Sequence, residues 1–498
     1  MGKVIRQSIL TSIVSYTGIL VGYVNLLYLY PRFLQPEQMG LLRTIQDIAM
    51  LMAPFAQIGL ANSIIRFYPK FSNDEGQANS FISFILLISL IGYGIFILIF
   101  FSIQGYIISF FEENAAVVTN YIALILWMTF FLVVITILEY YSRSLLKIVV
   151  PNFLREILIR LLQGILVSIY FLKLITFEQF LMLSVAIYLV SLTILITYLL
   201  AQGHLKVNFS FHLISWETGK ELLIYSLLSY VGAASTIIIG KVDSIMVTGM
   251  IGLAANAIYT NSFYMATVIE IPKRAITQSA FTLISKAFTE NNFVEIQSIY
   301  RKTAINQFII GALLMIGVWA NLENIFQLMP KGETFQTGTM VVVFVGIAKL
   351  VDMAFGPNGE IIVSSKYYWF NMVTVIIFAI IVVTTNLILI PRYGMMGAAY
   401  ATTLALIIFN MIKWTFVYFI LKMQPFGFAF VKVLAIITVT SLMNYFLPKA
   451  PNVLIDIFYR SALITGVYGS LILISSCSEE INKTFTNALL WIGLKRSK

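Results

Sequence analysis

Cysteine is nearly missing from this sequence: Cys477 stands alone among 498 residues. That excludes an internal disulfide and any cysteine-built metal cluster. Histidine is as scarce, with only His204 and His212 in one polar connection, where both read as solvated side chains rather than ligands. Charge is thin too, at 11% of residues, against about 25% in an ordinary soluble domain. The sequence contains no phosphate-binding loop, no Cys/His metal spacing and no nucleophile elbow, so neither an enzyme nor a cofactor is expected. The net charge of +10 comes from Lys and Arg scattered between apolar stretches. Without a basic face, it excludes nucleic acid as a partner and points to topology and membrane lipid instead.

What the chain has in abundance is apolar length. Hydrophobic residues make up 59% of it, and the runs Phe81 to Ile103 and Met372 to Ile390 carry no charge. No soluble core absorbs so much apolar sequence, because surface-to-volume scaling demands polar cover. A bilayer does, at about 20 apolar residues per crossing. Apolar runs and their polar breaks predict spans at 9–30, 41–63, 81–103, 116–138, 153–172, 179–200, 221–246, 251–271, 303–320, 338–360, 368–390, 396–420, 429–447 and 457–476. The first run is too long for a signal peptide and lacks a small-residue cleavage site, so it reads as a retained span. The expected fold class is all-α, a polytopic membrane protein of about 14 transmembrane helices.

Leu34 to Leu42 opens the second span, and Ile251 to Tyr259 opens the eighth; both lead to a basic exit containing Pro69 or Pro272. This weak parallel repeat, six helices apart, predicts two pseudo-symmetric six-helix bundles plus two C-terminal helices. The domains are then 1–200, 201–425, and 426–498 with its tail. With the N-terminus cytoplasmic, Lys and Arg favour the inside segments by about three to one. An even span count puts both termini in the cytoplasm. Residues 275–288, with Phe281, Ile284 and Phe288 at helical spacing, read as a helix along the interface. Gly92-Tyr93-Gly94, inside a long apolar run, reads as helix packing, and Gly18 and Gly22 form a small-residue contact motif.

Charge inside spans is costly and therefore marks function by default. Arg43 and Asp47 lie four residues apart and can pair on one helix face. Asn62 and Arg66 repeat that spacing, and Arg155, Glu156 and Arg160 open the fifth span. Lys241 and Asp243 sit in the seventh, Lys349, Asp352 and Glu360 in the tenth, and Lys413 in the twelfth. Residues 352, 356 and 360 would share a face, and Gly356-Pro357 between them predicts a kink. Arg66, Arg143, Arg155, Arg160 and Glu360 also fit a plain interfacial role, and ion pairs that only fix helix packing remain the alternative for the rest.

The same segments carry a family resemblance. Tyr28-Leu-Tyr-Pro-Arg-Phe-Leu-Gln-Pro-Glu-Gln-Met-Gly40, followed by Ile64-Ile-Arg-Phe-Tyr-Pro-Lys-Phe71, resembles the opening of the polysaccharide transporter family, the O-antigen (Wzx-type) flippase group. Similar to that family again are Asp243, Leu283-Ile-Ser-Lys-Ala-Phe288 with Tyr300-Arg-Lys302, and Asn386-Leu-Ile-Leu-Ile-Pro-Arg-Tyr-Gly394-Met-Met-Gly-Ala-Ala-Tyr400. The resemblance implies a V-shaped pair of bundles in a bacterial cytoplasmic (inner) membrane. It implies a flippase that moves a polyprenyl-pyrophosphate-linked oligosaccharide outward for O-antigen, capsule or exopolysaccharide synthesis. It also implies a polysaccharide polymerase or ligase as partner and a monomeric state. The expected substrate-binding residues are Arg43, Lys241, Lys349, Arg66 and Arg155, since cations suit a diphosphate. Asp47, Asp243, Asp352 and Glu360 are the expected ion-coupling or pairing residues. A multidrug exporter of the related MATE branch and a lipid II flippase are the alternatives within the superfamily. A membrane-embedded glycosyltransferase or polymerase, lacking any large polar loop to house it here, is the alternative outside it.

Overall fold

The computed structural model describes the backbone of residues 2–206, 208, 210 and 215–491, and side chains within these except at 2–6, 8–9, 228–240 and 488–491. His212 and the tail residues Lys495, Arg496 and Lys498 lie outside the described residues. Helix accounts for nearly all of the description, and no strand occurs among the described residues. That follows from the solvent, since in hydrocarbon each backbone N–H and C=O needs a partner within its own segment.

By length and composition, eight helices are able to cross a membrane among the described residues, or up to ten if each of two bent pairs is one span. The protein is a multi-pass membrane protein. The stretch Glu75–Ser144 contains two of the expected spans, 81–103 and 116–138, joined through the 3-10 turn Ala116–Tyr121. Its first helix, Glu75–Ala115, has 41 residues and at 1.5 Å per residue is about 60 Å long, well beyond the hydrocarbon thickness. The Pro36–Ala56 and Leu60–Phe71 helices bend by 45° where Ile58 and Gly59 both take positive φ. Thr339–Ala354 and Asn358–Ser364 bend by 44°, and Gly356 at φ +62° sits in the break. The expected kink is there, but it is a full interruption. Asp352 and Glu360 therefore belong to two helices and do not share one continuous face.

Helix starts obey local chemistry. Gln35 and Gln38 form a reciprocal cap with Pro36 in the first turn, and Thr176 and Gln179 do the same for Phe177–Ala201. Each such pair satisfies N–H groups that the first helical turn leaves without partners.

Contacts group the chain into two compact units, Met1–Ala257 and Ile258–Lys498. In the first, the Pro36–Ala56 helix packs on both Ile122–Ser144 and Trp216–Met250. A Cβ on Gly18 would collide with the Glu156 backbone, and one on Gly22 with the Arg160 guanidinium. The small-residue motif thus seats the first helix against the Val149–Phe171 segment. Gly92 likewise lies against the Ala56 carbonyl, whereas Gly94 faces open space.

In the second unit, Tyr368–Tyr393 packs on Met395–Ile420, which packs on Thr339–Ala354. The Phe428–Phe446 and Val453–Ile474 helices lie on the long Phe293–Leu328 helix through Phe308, Ala312, Val433, Ile464 and Tyr468. The segment expected at the interface is the Ile271–Thr289 helix. Its buried stripe is Ala280, Ile284 and Ala287, whereas Phe281 is 39% exposed. Of the expected apolar positions, Ile284 faces inward and Phe288 packs against the same core, while Phe281 points away and Ala280 and Ala287 complete the face, because close helix contact favours small side chains beside a large one.

Candidate functional site

Polar groups are concentrated within each unit at a few places, and most of the intramembrane charge there is matched by an opposite charge. In the first unit the centre is Asp47, fully buried on Pro36–Ala56. Arg43 Nε donates to its Oδ2 at 3.0 Å, from one turn earlier on the same helix. Lys241 Nζ donates to its Oδ1 at 2.7 Å, from the Trp216–Met250 helix. Two cations therefore share one carboxylate, and the Arg43 and Lys241 side chains retain 18% and 16% exposure while Asp47 has none.

A polar seam continues from this triad. Thr44 Oγ1 lies 2.8 Å from Thr248 Oγ1 and accepts from Asn256 Nδ2 at 3.1 Å. Ser244 donates in turn to Asn256 Oδ1 at 2.9 Å. Gly40 permits the approach, because a Cβ there would overlap the Leu253 carbonyl. Asp243 is buried on the same helix as Lys241. Both are helical.

A second cluster of the first unit surrounds the π-helical turn Leu154–Leu158. Arg155 donates to Glu139 at 2.9 Å and lies 3.4 Å from Glu156, which also holds Arg160 at 2.7 Å. Arg160 donates as well to the Gly18 carbonyl at 2.5 Å. Arg66 is elsewhere: half exposed, 3.8 Å from Glu221, with its guanidinium 4.3 Å from the centre of the Tyr225 ring. It joins neither cluster.

In the second unit Lys349 Nζ pairs with Glu270 at 2.8 Å, and Lys273 pairs with Asp352. Asn410 Nδ2 donates to Asp352 Oδ1 at 3.0 Å, and its own Oδ1 accepts from Asn358 at 3.1 Å, across the break after Ala354. Glu360 acts by charge on Lys273, Lys413 and Tyr300, without an ion pair among the described residues. Lys413 is buried, and its Nζ sits 3.9 Å from the centre of the Phe409 ring.

Arg43 with Asp47 and Lys241 are thus brought together, and so are Lys349 and Asp352 through neighbouring pairs. Glu270, Lys273, Asn410 and Glu139 were absent from the expected set. Glu270 and Lys273 read as charges at a span exit, and nothing in the spacing announces that they fold back onto Lys349 and Asp352. Asn410 is an uncharged residue in an apolar run; only its place one turn before Lys413 hinted at a polar face. No group of three or more metal-ligating side chains occurs among the described residues.

The family profile described as polysaccharide biosynthesis protein matches residues 4–288, more than half of the chain. An uncharacterized membrane protein of Methanocaldococcus jannaschii is 23% identical over 472 residues, covering 88% of this chain and 89% of that protein. Among solved structures, the lipid II flippase MurJ in an inward closed conformation is similar with a TM-score of 0.75 at 13% identity, covering 94% of this chain and 99% of its own. An inward-facing multidrug resistance MATE family transporter of the MOP superfamily is similar with a TM-score of 0.62 at 16% identity, covering 82% and 93%. At such identities the likeness establishes a shared fold.

Proposed function

The chain belongs to the polysaccharide biosynthesis protein family, and from that premise we propose that it is a flippase for a polyprenyl-pyrophosphate-linked oligosaccharide. The observation that carries the reading is the triad in the first unit. Arg43 and Lys241 converge on one sealed carboxylate, and both cations keep some exposure. A diphosphate accepts charge-assisted hydrogen bonds from both of these partly exposed side chains. Lys349 is assigned the same role in the second unit, with Glu270 as its resting partner. Asp47, Asp243, Asp352 and Glu360 are proposed to hold these cations or to couple ion movement to transport. Sugar hydroxyls are matched by uncharged polar groups such as Thr44, Thr248 and Asn256, while the prenyl chain stays in lipid. The protein would act as a transporter rather than an enzyme, as a monomer in the cytoplasmic membrane with both termini inside, ahead of a polymerase or ligase.

The test is genetic. Deleting the gene should abolish surface polysaccharide and trap the lipid-linked intermediate on the cytoplasmic face, and Arg43→Ala or Lys349→Ala should do the same at normal membrane levels. Unchanged polysaccharide together with altered sensitivity to cationic drugs would reject the reading in favour of multidrug export.

A further inference from the structure

Arg143 and Arg155 border a pocket that the transport reading does not use. The cavity has a volume of about 290 Å³ and is lined by Thr11, Glu139, Arg143, Ile148, Pro151, Asn152 and Arg155. It lies where the Ile122–Ser144 helix ends and Val149–Phe153 begins. The residues between them turn through Leu146 at φ +56° and leave Leu146 53% exposed. A pocket at the joint of two apolar helices, with an exposed Leu and Lys147 in the turn, suits the level of lipid headgroups.

Its charge is unbalanced. Three guanidiniums, those of Arg143, Arg155 and Arg160, face two carboxylates, those of Glu139 and Glu156. Arg155 and Arg160 are occupied by those carboxylates at 2.7–3.4 Å. Arg143 is not: its guanidinium rests over the Tyr140 ring at 4.7 Å and makes no hydrogen bond or ion pair among the described residues. On the other wall Thr11 Oγ1 is buried without a hydrogen-bond partner among the described residues. Asn152 fixes that wall by donating to the Thr11 carbonyl at 3.3 Å and to Ser15 Oγ at 3.1 Å. A free guanidinium, a half-committed one and an unmet hydroxyl around one small cavity are donors awaiting one singly charged oxyanion.

We propose that this pocket binds the phosphate of an anionic phospholipid, Arg143 and Arg155 donating to its oxygens and Thr11 to a third. Arg155 is then a lipid-anchoring residue rather than a residue of the transported diphosphate. The buried carboxylate of Glu139 limits the pocket to a ligand of low charge, because a more highly charged phosphate would be repelled across it.

The experiment uses the purified full-length protein in detergent, titrated with short-chain phosphatidylglycerol, phosphatidylcholine or inorganic phosphate, with bound lipid counted by native mass spectrometry. Phosphatidylglycerol should be retained about tenfold more tightly by the parent than by Arg143→Gln, the size expected for one charge-assisted contact. Glu139→Gln should tighten it, a direction that a purely structural role for Glu139 would not give. Excess inorganic phosphate that displaces the lipid would assign the site to phosphate in general, whereas resistance to displacement would assign it to the lipid. Equal retention by parent and Arg143→Gln, or loss of binding in Glu139→Gln with the protein still monodisperse, would overturn the proposal. Transport can fail or persist independently of either result.

Discussion

Lys241 donates to Asp47 across 194 residues of sequence at 2.7 Å, while Arg43 reaches the other oxygen of the same carboxylate from one helical turn away. One contact is local and one is long-range, yet they meet on a group with no exposure to solvent. The physical consequences of removing each partner therefore differ.

Substituting Asp47 by Ala removes the carboxylate that two cations share in an apolar interior, and breaking a buried pair in this way costs about 3–5 kcal/mol. Asp47→Ala should lower the thermal unfolding midpoint of the detergent-purified protein far more than Lys241→Ala, which leaves Asp47 with Arg43. Equal midpoints for the two variants would mean that the triad does not support the fold.

Gly40 and Gly22 predict a contrast between two equally small changes. A methyl group at Gly40 meets the Leu253 backbone, which cannot rotate aside, whereas one at Gly22 meets the end of the flexible Arg160 side chain. Gly40→Ala should destabilise by roughly 1–3 kcal/mol, the range for overpacking a fitted contact, and Gly22→Ala by distinctly less. Urea unfolding of both variants in the same micelle would measure the difference.

The break between Thr339–Ala354 and Asn358–Ser364 depends on Gly356. Its φ of +62° strains any residue with a Cβ, and that Cβ would also press on Ala304 at 2.7 Å. Gly356→Ala is expected to reduce stability by about 1–3 kcal/mol. It should also straighten the break and separate Asn358 from Asn410. Proteolytic or hydrogen-exchange protection around 354–364 should change in the variant, and an unaltered pattern would count against a strained break.

Arg460 and Asp456 anchor the Phe428–Phe446 and Val453–Ile474 helices. Arg460 Nε donates to Asp456 Oδ2 at 2.6 Å, its other nitrogens reach Asn444, Leu447 and Pro448, and Asn324 donates to Asp456 at 2.6 Å from the Phe293–Leu328 helix. Removing either charge alone leaves the other buried, so Asp456→Leu and Arg460→Met should each reduce folded protein in the membrane. The double substitution should recover much of the loss, because an apolar pair of similar volume replaces a buried ion pair at little cost. Additive losses in the double variant would contradict this.

Much of this architecture is legible in the one-dimensional pattern. Charge-free runs such as Phe81 to Ile103 specify helices because a bilayer leaves the backbone no other way to satisfy its polar groups. Caps at Gln35 and Thr176, the pairing of Arg43 with Asp47 and a bend at Gly356-Pro357 are also local, since their partners lie within one or two turns, although the bend is a full break that the sequence reads only as a kink. What tertiary structure alone decided is which distant charges share a site. Lys241 joins Asp47, Glu270 joins Lys349, Lys273 joins Asp352, and Asn410 bridges Asp352 to Asn358. Arg66, a charged residue that looks equivalent in the sequence, ends at the surface against Glu221 and Tyr225. The reason is physical. The apolar period states which face of a helix is buried, but lipid and a neighbouring helix are equally apolar to it. Only packing chooses between them, and with that choice it settles whether a charge finds a partner or water.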